Sequence, residues 1–273
     1  MLKKLKLIPF PLVSISMSSN PSGVFRSVKE FIAYRDQFPA DLSMGFVPTM
    51  GALHEGHASL LKRAKDENDL CVLSIFVNPT QFNNPEDLKK YPRTWEADLK
   101  IAEECGVDLV LYPEFEEMYS DNYRYVLSEK EFAKKLCGAY RAGHFDGVLT
   151  VVMKLLQIVS CDKAYFGEKD YQQLQLIKDM VQNFFVRTEI VACPTLREAD
   201  GLAMSSRNIR LTAEGRQKAP LLFKALKELN NFEAAKKYLE IEKIELEYFE
   251  EHFGRRFIAA HIDGVRLIDN VAV

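Results

Sequence analysis

The chain is predicted to fold as an α/β protein: a parallel sheet covered by helices, followed by a smaller α+β domain at the carboxyl end. Three observations predict this. Short apolar, β-branched runs alternate with helix-length stretches from Phe25 to Val191, the pattern of a parallel sheet with both faces covered. Polar clusters follow several of the strand candidates, where such sheets bind ligands. After about Asn208 the texture changes to helices and then to two apolar runs around Asp263-Gly264, a strong hairpin signal.

In chain order, residues 25–35 read as a helix, and 44–47 as a short strand ending at Pro48. Residues 57–65 read as a helix, and 70–77 as a strand rich in apolar and β-branched residues. Residues 95–104 are helical, with Gly106 as a stop signal, and 107–112 form the next strand. The largely apolar run 147–159 is a buried helix. A strand at 163–166, a helix at 171–183 and a strand at 186–191 follow. The tail carries helices at 212–229 and 232–239, a strand from 244 to 249, and hairpin strands at 257–262 and 265–268. The domain division expected is a leader at 1–20, a main domain at 21–195 and a small lid domain at 196–273.

The 273 residues are 47% apolar and 27% charged, an ordinary globular composition. A net charge of -3 argues against a protein whose main task is holding nucleic acid. The five cysteines are widely spaced and form no Cys-x-x-Cys pair, so they read as free thiols of a reducing compartment. No long apolar segment suggests a transmembrane span. Lys3, Lys4 and Lys6 precede an apolar run from Leu7 to Met17, the outline of a weak signal peptide. Pro9 and Pro11 interrupt that run, and no clean cleavage site follows. It reads as a loose leader, with Met17 as the natural start.

The first chemical cluster is Pro48-Thr49-Met50-Gly51-Ala52-Leu53-His54-Glu55-Gly56-His57, running from a strand end into a helix start. Gly51 and Gly56 carry no Cβ and let the backbone approach a ligand. Amides at a helix start hold phosphate. His54 and His57 lie about one helical turn apart, so both rings can face one bound group. Imidazoles donate hydrogen bonds to phosphate and stabilise charge as an α-phosphate is attacked. A metal site completed by His144, or two structural histidines, are the alternatives. The glycine spacing is that of a P-loop, but His57-Ala58 stands where that motif needs Lys-Ser/Thr.

Further clusters follow. Asn78 and Gln81 place amides where a small polar substrate can lie, with an ordinary turn as the alternative. Tyr91-Pro92-Arg93-Thr94 precedes a helix, with Thr94 as its cap. Asp98, one turn on, is assigned to the vicinity of magnesium, against a solvated face position. Arg141, just ahead of His144, can meet a carboxylate or phosphate. Phe166-Gly167-Glu168-Lys169-Asp170 follows a strand. Lys169 there neutralises phosphate, and Asp170 serves magnesium or caps the helix. Gln173 lies one turn further. In Met204-Ser205-Ser206-Arg207, the serines and the arginine can clamp the outer phosphates as pyrophosphate leaves.

Taken together, these residues resemble the pantothenate synthetase, or pantoate–β-alanine ligase, family. The most specific matches are 48–57, 166–170 and 201–208. Support comes from 76–82, 91–94 and Gly143-His144-Phe145. The resemblance spans roughly Phe25 to Asn270. It implies a Rossmann-like nucleotidylyltransferase domain with a carboxyl-terminal lid, and a cytoplasmic homodimer requiring magnesium. It also implies a two-step reaction, in which ATP converts pantoate to pantoyl-adenylate and β-alanine then displaces AMP.

The ATP site implied comprises Met50, Gly51, Ala52, Leu53, His54, Glu55, Gly56 and His57. Gly167, Glu168, Lys169, Asp170, Leu196, Met204, Ser205, Ser206 and Arg207 complete it. His57 is the implied proton donor, acting with His54, Lys169, Ser205, Ser206 and Arg207. Gln81 and Gln173 would hold pantoate, joined by Asn78 and Arg141, and Gln81 would also lie by β-alanine. The family usually has proline at Ala142 and a small hydroxyl residue at Tyr140, so altered loop stiffness is expected here.

Overall fold

The computed structural model describes residues 23–273, so the leader lies outside the described residues. Six parallel strands form the main sheet: β1 Val24–Phe25, β2 Met44–Thr49, β3 Leu70–Ile75, β4 Leu109–Leu111, β5 Lys163–Gly167 and β6 Glu189–Cys193. Their order is β1-β4-β3-β2-β5-β6. The chain steps from β2 through β3 to β4 on one side, then returns to pair β5 with the other edge of β2. Strand order therefore reverses at β2 and β5, and the crevice at their carboxyl ends is the natural ligand position.

The apolar runs that suggested strands are buried because both sheet faces are covered. On one face, α2 (Glu55–Glu67) and α4 (Trp95–Glu104) pack Leu61, Ala64 and Ala102 against Val47, Leu73 and Val110. On the other, α1 (Val28–Arg35), α7 (His144–Val159) and α8 (Tyr171–Asn183) pack Phe31, Leu149, Leu156 and Ile177 against Phe46 and Val72. Three short helices punctuate the connections: α3 Pro85–Lys89, α5 Phe115–Met118 and α6 Cys137–Tyr140.

Several boundaries differ from the sequence reading for local reasons. Val24 and Phe25 leave the predicted first helix to pair with Val110 and Leu111 at the sheet edge. Helix α7 begins at His144, ahead of Gly147. Gly147 is buried within it because a Cβ there would sit 2.6 Å from the Thr80 carbonyl oxygen. The strand expected at 186–191 is displaced to Glu189–Cys193, after a turn in which Phe185 takes φ +55°.

The carboxyl-terminal part has its own core. Strands β7 (Glu245–His252), β8 (Arg255–Ile262) and β9 (Val265–Ala272) form an antiparallel sheet. Asp263 and Gly264 take φ +53° and +73° between β8 and β9, the hairpin anticipated. The helix expected over 212–229 is divided at Pro220 into α9 (Ala213–Lys218) and α10 (Leu221–Glu228), followed by α11 (Phe232–Ile241). Alternation splits the sheet's side chains between two cores. Phe249, Ile258 and Ala260 pack on Leu222, Leu226 and Leu239, whereas Tyr248, Phe257 and Ala259 join the core of the main sheet. No helix among the described residues is long and apolar enough to cross a membrane.

Candidate active site

A cleft of about 240 Å³ opens at the strand-order reversal, between the main sheet and the carboxyl-terminal part. Met50, His54, Gly56 and His57 line it from the β2 side, and Gly167, Lys169, Asp170 and Gln173 from the β5 side. Asn78, Gln81, Arg141, Leu196 and the run Met204-Ser205-Ser206-Arg207 complete the wall.

The turn after β2 is held by Asp98. Its carboxylate accepts the main-chain N–H groups of Ala52 and Leu53 at 3.0 and 2.7 Å, and the Thr94 hydroxyl at 3.0 Å. Gly51 takes φ +79° there, and a Cβ would stand 2.9 Å from the Asp98 carboxylate. Asp98 is 2% exposed and lines a separate, smaller cavity. The Asp98 carboxylate thereby shapes the turn that carries Ala52 and Leu53. Thr94, expected to cap α4, makes no side-chain cap bond, and its hydroxyl donates to Asp98.

The turn delivers His54 to the N-cap of α2. Its Nδ1 accepts the Gly56 N–H at 3.1 Å, and the His57 Nδ1 accepts the His54 N–H at 3.3 Å. A ring nitrogen that accepts carries no proton, so this network assigns each neutral imidazole its proton on Nε2. The rings lie 4.1 Å apart. A Cβ on Gly56 would come within 2.8 Å of the His54 ring. Thus Gly51 and Gly56 leave room for the Asp98 carboxylate and the His54 ring, and Gly56 also lines the cleft. Burial, and then the Lys169 ammonium, lower the His54 pKa to about 4, while Asp170 opposes the shift. Burial, His54 and Lys169 lower that of His57 to about 3. Both rings are therefore neutral donors at physiological pH.

Across β3, Asn78 is 1% exposed and its polar atoms are committed to protein. Its amide donates to Gln81 Oε1 at 3.0 Å and to the Gly147 carbonyl at 3.2 Å. Its oxygen accepts from the Thr80 and Tyr119 hydroxyls. Asn78 thereby fixes the Gln81 amide, whose Nε2 lies 3.2 Å from the Met50 sulfur. The Gln81 main chain is held as well: its carbonyl accepts from His144 Nδ1 at 2.8 Å and Arg141 Nη2 at 3.3 Å. Arg141 Nη1 donates to His144 Nε2 at 3.0 Å. Since arginine only donates, the His144 proton sits on Nδ1 and its lone pair is taken. Burial and Arg141 push its pKa to about 3. His144 is thus a brace for Gln81, not the third ligand of a zinc triad.

Lys169 lies 3.6 Å from Asp170. Asp170 makes no side-chain cap bond to α8, contrary to one of its two expected roles, and its carboxylate lines the cleft. Ser205 Oγ accepts the Arg207 N–H at 3.2 Å, and Ser206 Oγ lies 3.4 Å from the Tyr91 hydroxyl. Arg207 donates to Asp87 at 3.1 Å.

Some expected contacts are placed elsewhere. Gly51, Ala52, Leu53, Glu55 and Glu168 do not line the cleft. Glu55 is exposed on the first turn of α2, and the Glu168 carboxylate turns to Arg255 at 3.7 Å. Other groups escaped the sequence reading. Asn270 on β9 donates to the carbonyls of both Glu168 and Lys169 at 2.9 Å, so the last strand fixes the turn bearing Lys169. Gln172, next to Gln173, bonds Cys137, Phe132 and Lys135 and holds the segment leading to Arg141. Tyr140 donates to the Glu247 carbonyl at 2.9 Å, tying its loop to β7. The Thr195 hydroxyl, in the cleft wall, is buried without a hydrogen-bond partner among the described residues.

Comparison with known proteins agrees with this architecture. The family model described as pantoate-beta-alanine ligase matches residues 23–272. A pantothenate synthetase of Bdellovibrio bacteriovorus is 55% identical over 250 residues, covering 92% of this chain and 99% of that protein. One from Legionella pneumophila is 50% identical over 247 residues, covering 90% and 98%. Among solved structures, a Francisella tularensis pantoate-beta-alanine ligase in complex with "Beta-gamma ATP" and β-alanine superposes with a TM-score of 0.88. It is 43% identical, with 91% and 97% of the two chains covered. The Thermus thermophilus pantothenate synthetase gives 0.82 at 38% identity, covering 91% and 98%. With a family match across nearly all described residues, and relatives this similar over almost their whole length, the chain belongs to the pantoate–β-alanine ligase family.

Proposed function

We propose that the protein condenses pantoate with β-alanine at the expense of ATP, through a pantoyl-adenylate, giving pantothenate, AMP and pyrophosphate. The observation that carries this is the cleft itself. Two neutral imidazole donors and Lys169 share it with a braced amide, Gln81, and a serine–arginine run.

ATP lies along Met50, Gly56, Gly167, Leu196 and Met204, with its phosphates toward His54, His57, Lys169, Ser205, Ser206 and Arg207. Gln81 and Gln173 hold pantoate. Asn78 acts through Gln81, and Arg141 faces the carboxylate. A pantoate carboxylate oxygen attacks the α-phosphorus, and the bond to the pyrophosphate oxygen breaks. The Nε2–H groups of His54 and His57 meet the charge that builds on the phosphate oxygens. His57, the expected proton donor, directs its Nε2–H toward the leaving oxygen as a hydrogen-bond donor. Neutral donors that need no reorganisation are worth most in a water-poor site. The amine of β-alanine, entering beside Gln81, then attacks the acyl carbon, and AMP departs with the pantoate oxygen.

Magnesium is the expected companion of ATP, neutralising charge on its phosphates and held largely by them. Asp170, an uncapped carboxylate in the cleft beside Lys169, suits it better than Asp98. Residues 196–273 act as the lid. The protein works as a homodimer in the cytoplasm. The exposed Phe184 and Phe185 offer apolar surface for a second copy, and the buried free cysteines suit a reducing compartment.

The test supplies ATP, magnesium and pantoate, with and without β-alanine. An amide product with sustained AMP release only when β-alanine is present is expected. Pyrophosphate release that is indifferent to the amine and brings no AMP would instead identify an enzyme that releases a stable adenylate.

A further inference from the structure

Asp87 takes no part in the proposed chemistry, yet it holds two arginines. It lies on α3, in the crossover from β3 to β4. One carboxylate oxygen accepts from Arg207 Nη2 at 3.1 Å, the other from Arg210 Nη1 at 2.5 Å. The three side chains are each about a quarter exposed. Burial raises the Asp87 pKa, but the bond to Arg210 and the charge and bond of Arg207 together outweigh it, holding the carboxyl below its ordinary range.

The surroundings give this pair a direction. A second cavity of about 350 Å³ adjoins the cleft. Arg207, Arg141, Lys169, Asp170 and Ser205 line both spaces. Asp87 and Arg210 line only the second, and His54 and His57 only the first. The Arg207 guanidinium thus stands between the histidines and a carboxylate. A phosphate that takes Arg207 must displace Asp87. Because Arg210 remains with Asp87, the exchange strands no carboxylate in a partly buried site, which would otherwise be costly.

We propose that Asp87 is a latch that competes with the pyrophosphate group for Arg207, weakening the hold on that group so that it leaves toward the second cavity. The latch rests on the ligase reading, which puts Arg207 at the outer phosphates. Partly exposed ion pairs are modest, so the effect is a tuning of affinity rather than a loss of activity.

The test uses the full chain and reads the KM for ATP and the inhibition constant of added inorganic pyrophosphate. With Asp87→Asn the competitor is gone, and both constants should fall by about twofold to fivefold. With Arg210→Gln, Asp87 is left to Arg207 alone, and both should rise. That second variant reads the same latch with opposite sign if Asp87→Asn folds poorly. A rise in both constants with Asp87→Asn would make Asp87 a support for Arg207 and overturn the latch. Unchanged constants in either folded variant would overturn it too. Wild-type protein that makes no amide would instead sink the ligase reading, an outcome distinguishable from an active enzyme with unaltered pyrophosphate inhibition.

Discussion

His57 caps the residue that precedes it by one turn: its Nδ1 accepts the main-chain N–H of His54 at 3.3 Å. The same bond that closes the start of α2 therefore leaves the Nε2–H of His57 as its free donor. Structure and chemistry are served by opposite edges of one ring.

His57→Ala should lower the rate of adenylate formation by about 10²–10³-fold, the usual loss for one preorganised donor. ATP affinity should change by less than about tenfold, since the donor acts mainly in the transition state. Single-turnover mixing with ATP and pantoate separates the two. Equal losses in binding and rate would reject the assignment.

Acid should destabilise the fold through the same residues. His54, His57 and His144 have pKa values lowered to about 4, 3 and 3. An unfolded histidine titrates near about 6.5. Above that value neither state binds the proton, and the stability is fully present. As the pH falls below it, the unfolded chain takes protons that the folded one refuses. Stability then drops by up to about 1.4 kcal/mol per pH unit for each histidine, until the folded values are reached. Urea midpoints at pH 7.5 and about 5 should differ markedly. Replacing His144 by Gln should reduce the difference, and an unchanged difference would contradict its buried, neutral state. In kcat/KM, the free-enzyme titration of His54 and His57 should contribute no inflection between about pH 6 and 8.

Asp98 distinguishes a turn-holder from a metal ligand. Asp98→Ala leaves the buried amides of Ala52 and Leu53 without their acceptor, and a loss of about 2–4 kcal/mol in unfolding free energy is expected. In Asp98→Asn one oxygen survives, so stability should fall less, and the magnesium concentration for half-maximal activity should stay within about twofold of wild type. A tenfold shift in the magnesium requirement without a stability change would return Asp98 to the metal.

Much of this was legible in the sequence where a pattern is long or chemically repetitive. Strands β2, β3 and β5 are apolar runs because parallel strands are covered on both faces, and the loops after β2 and β5 carry the cleft's polar groups. Short or distant relationships were not legible. Strand β1 spans Val24–Phe25 and merges with helical periodicity. The role of Asp98 depends on a turn 45 and 46 residues away, Asp87 meets Arg207 across 120 residues, and Asn270 reaches Glu168 across 102. No local spacing announces such pairs. The close neighbours of the two glycines in the histidine motif, the Asp98 carboxylate and the His54 ring, are likewise visible only in three dimensions.

The adenylate is the centre of the account, and the fate of one oxygen tests it most directly. Pantoate labelled with oxygen-18 in its carboxylate, turned over with ATP, magnesium and β-alanine, should yield AMP carrying one labelled oxygen and pyrophosphate carrying none. The attacking carboxylate oxygen becomes the acyl–phosphate bridge and leaves with AMP when the amine attacks carbon. Unlabelled AMP, or label in the pyrophosphate or in free phosphate, would contradict activation of pantoate at the α-phosphorus.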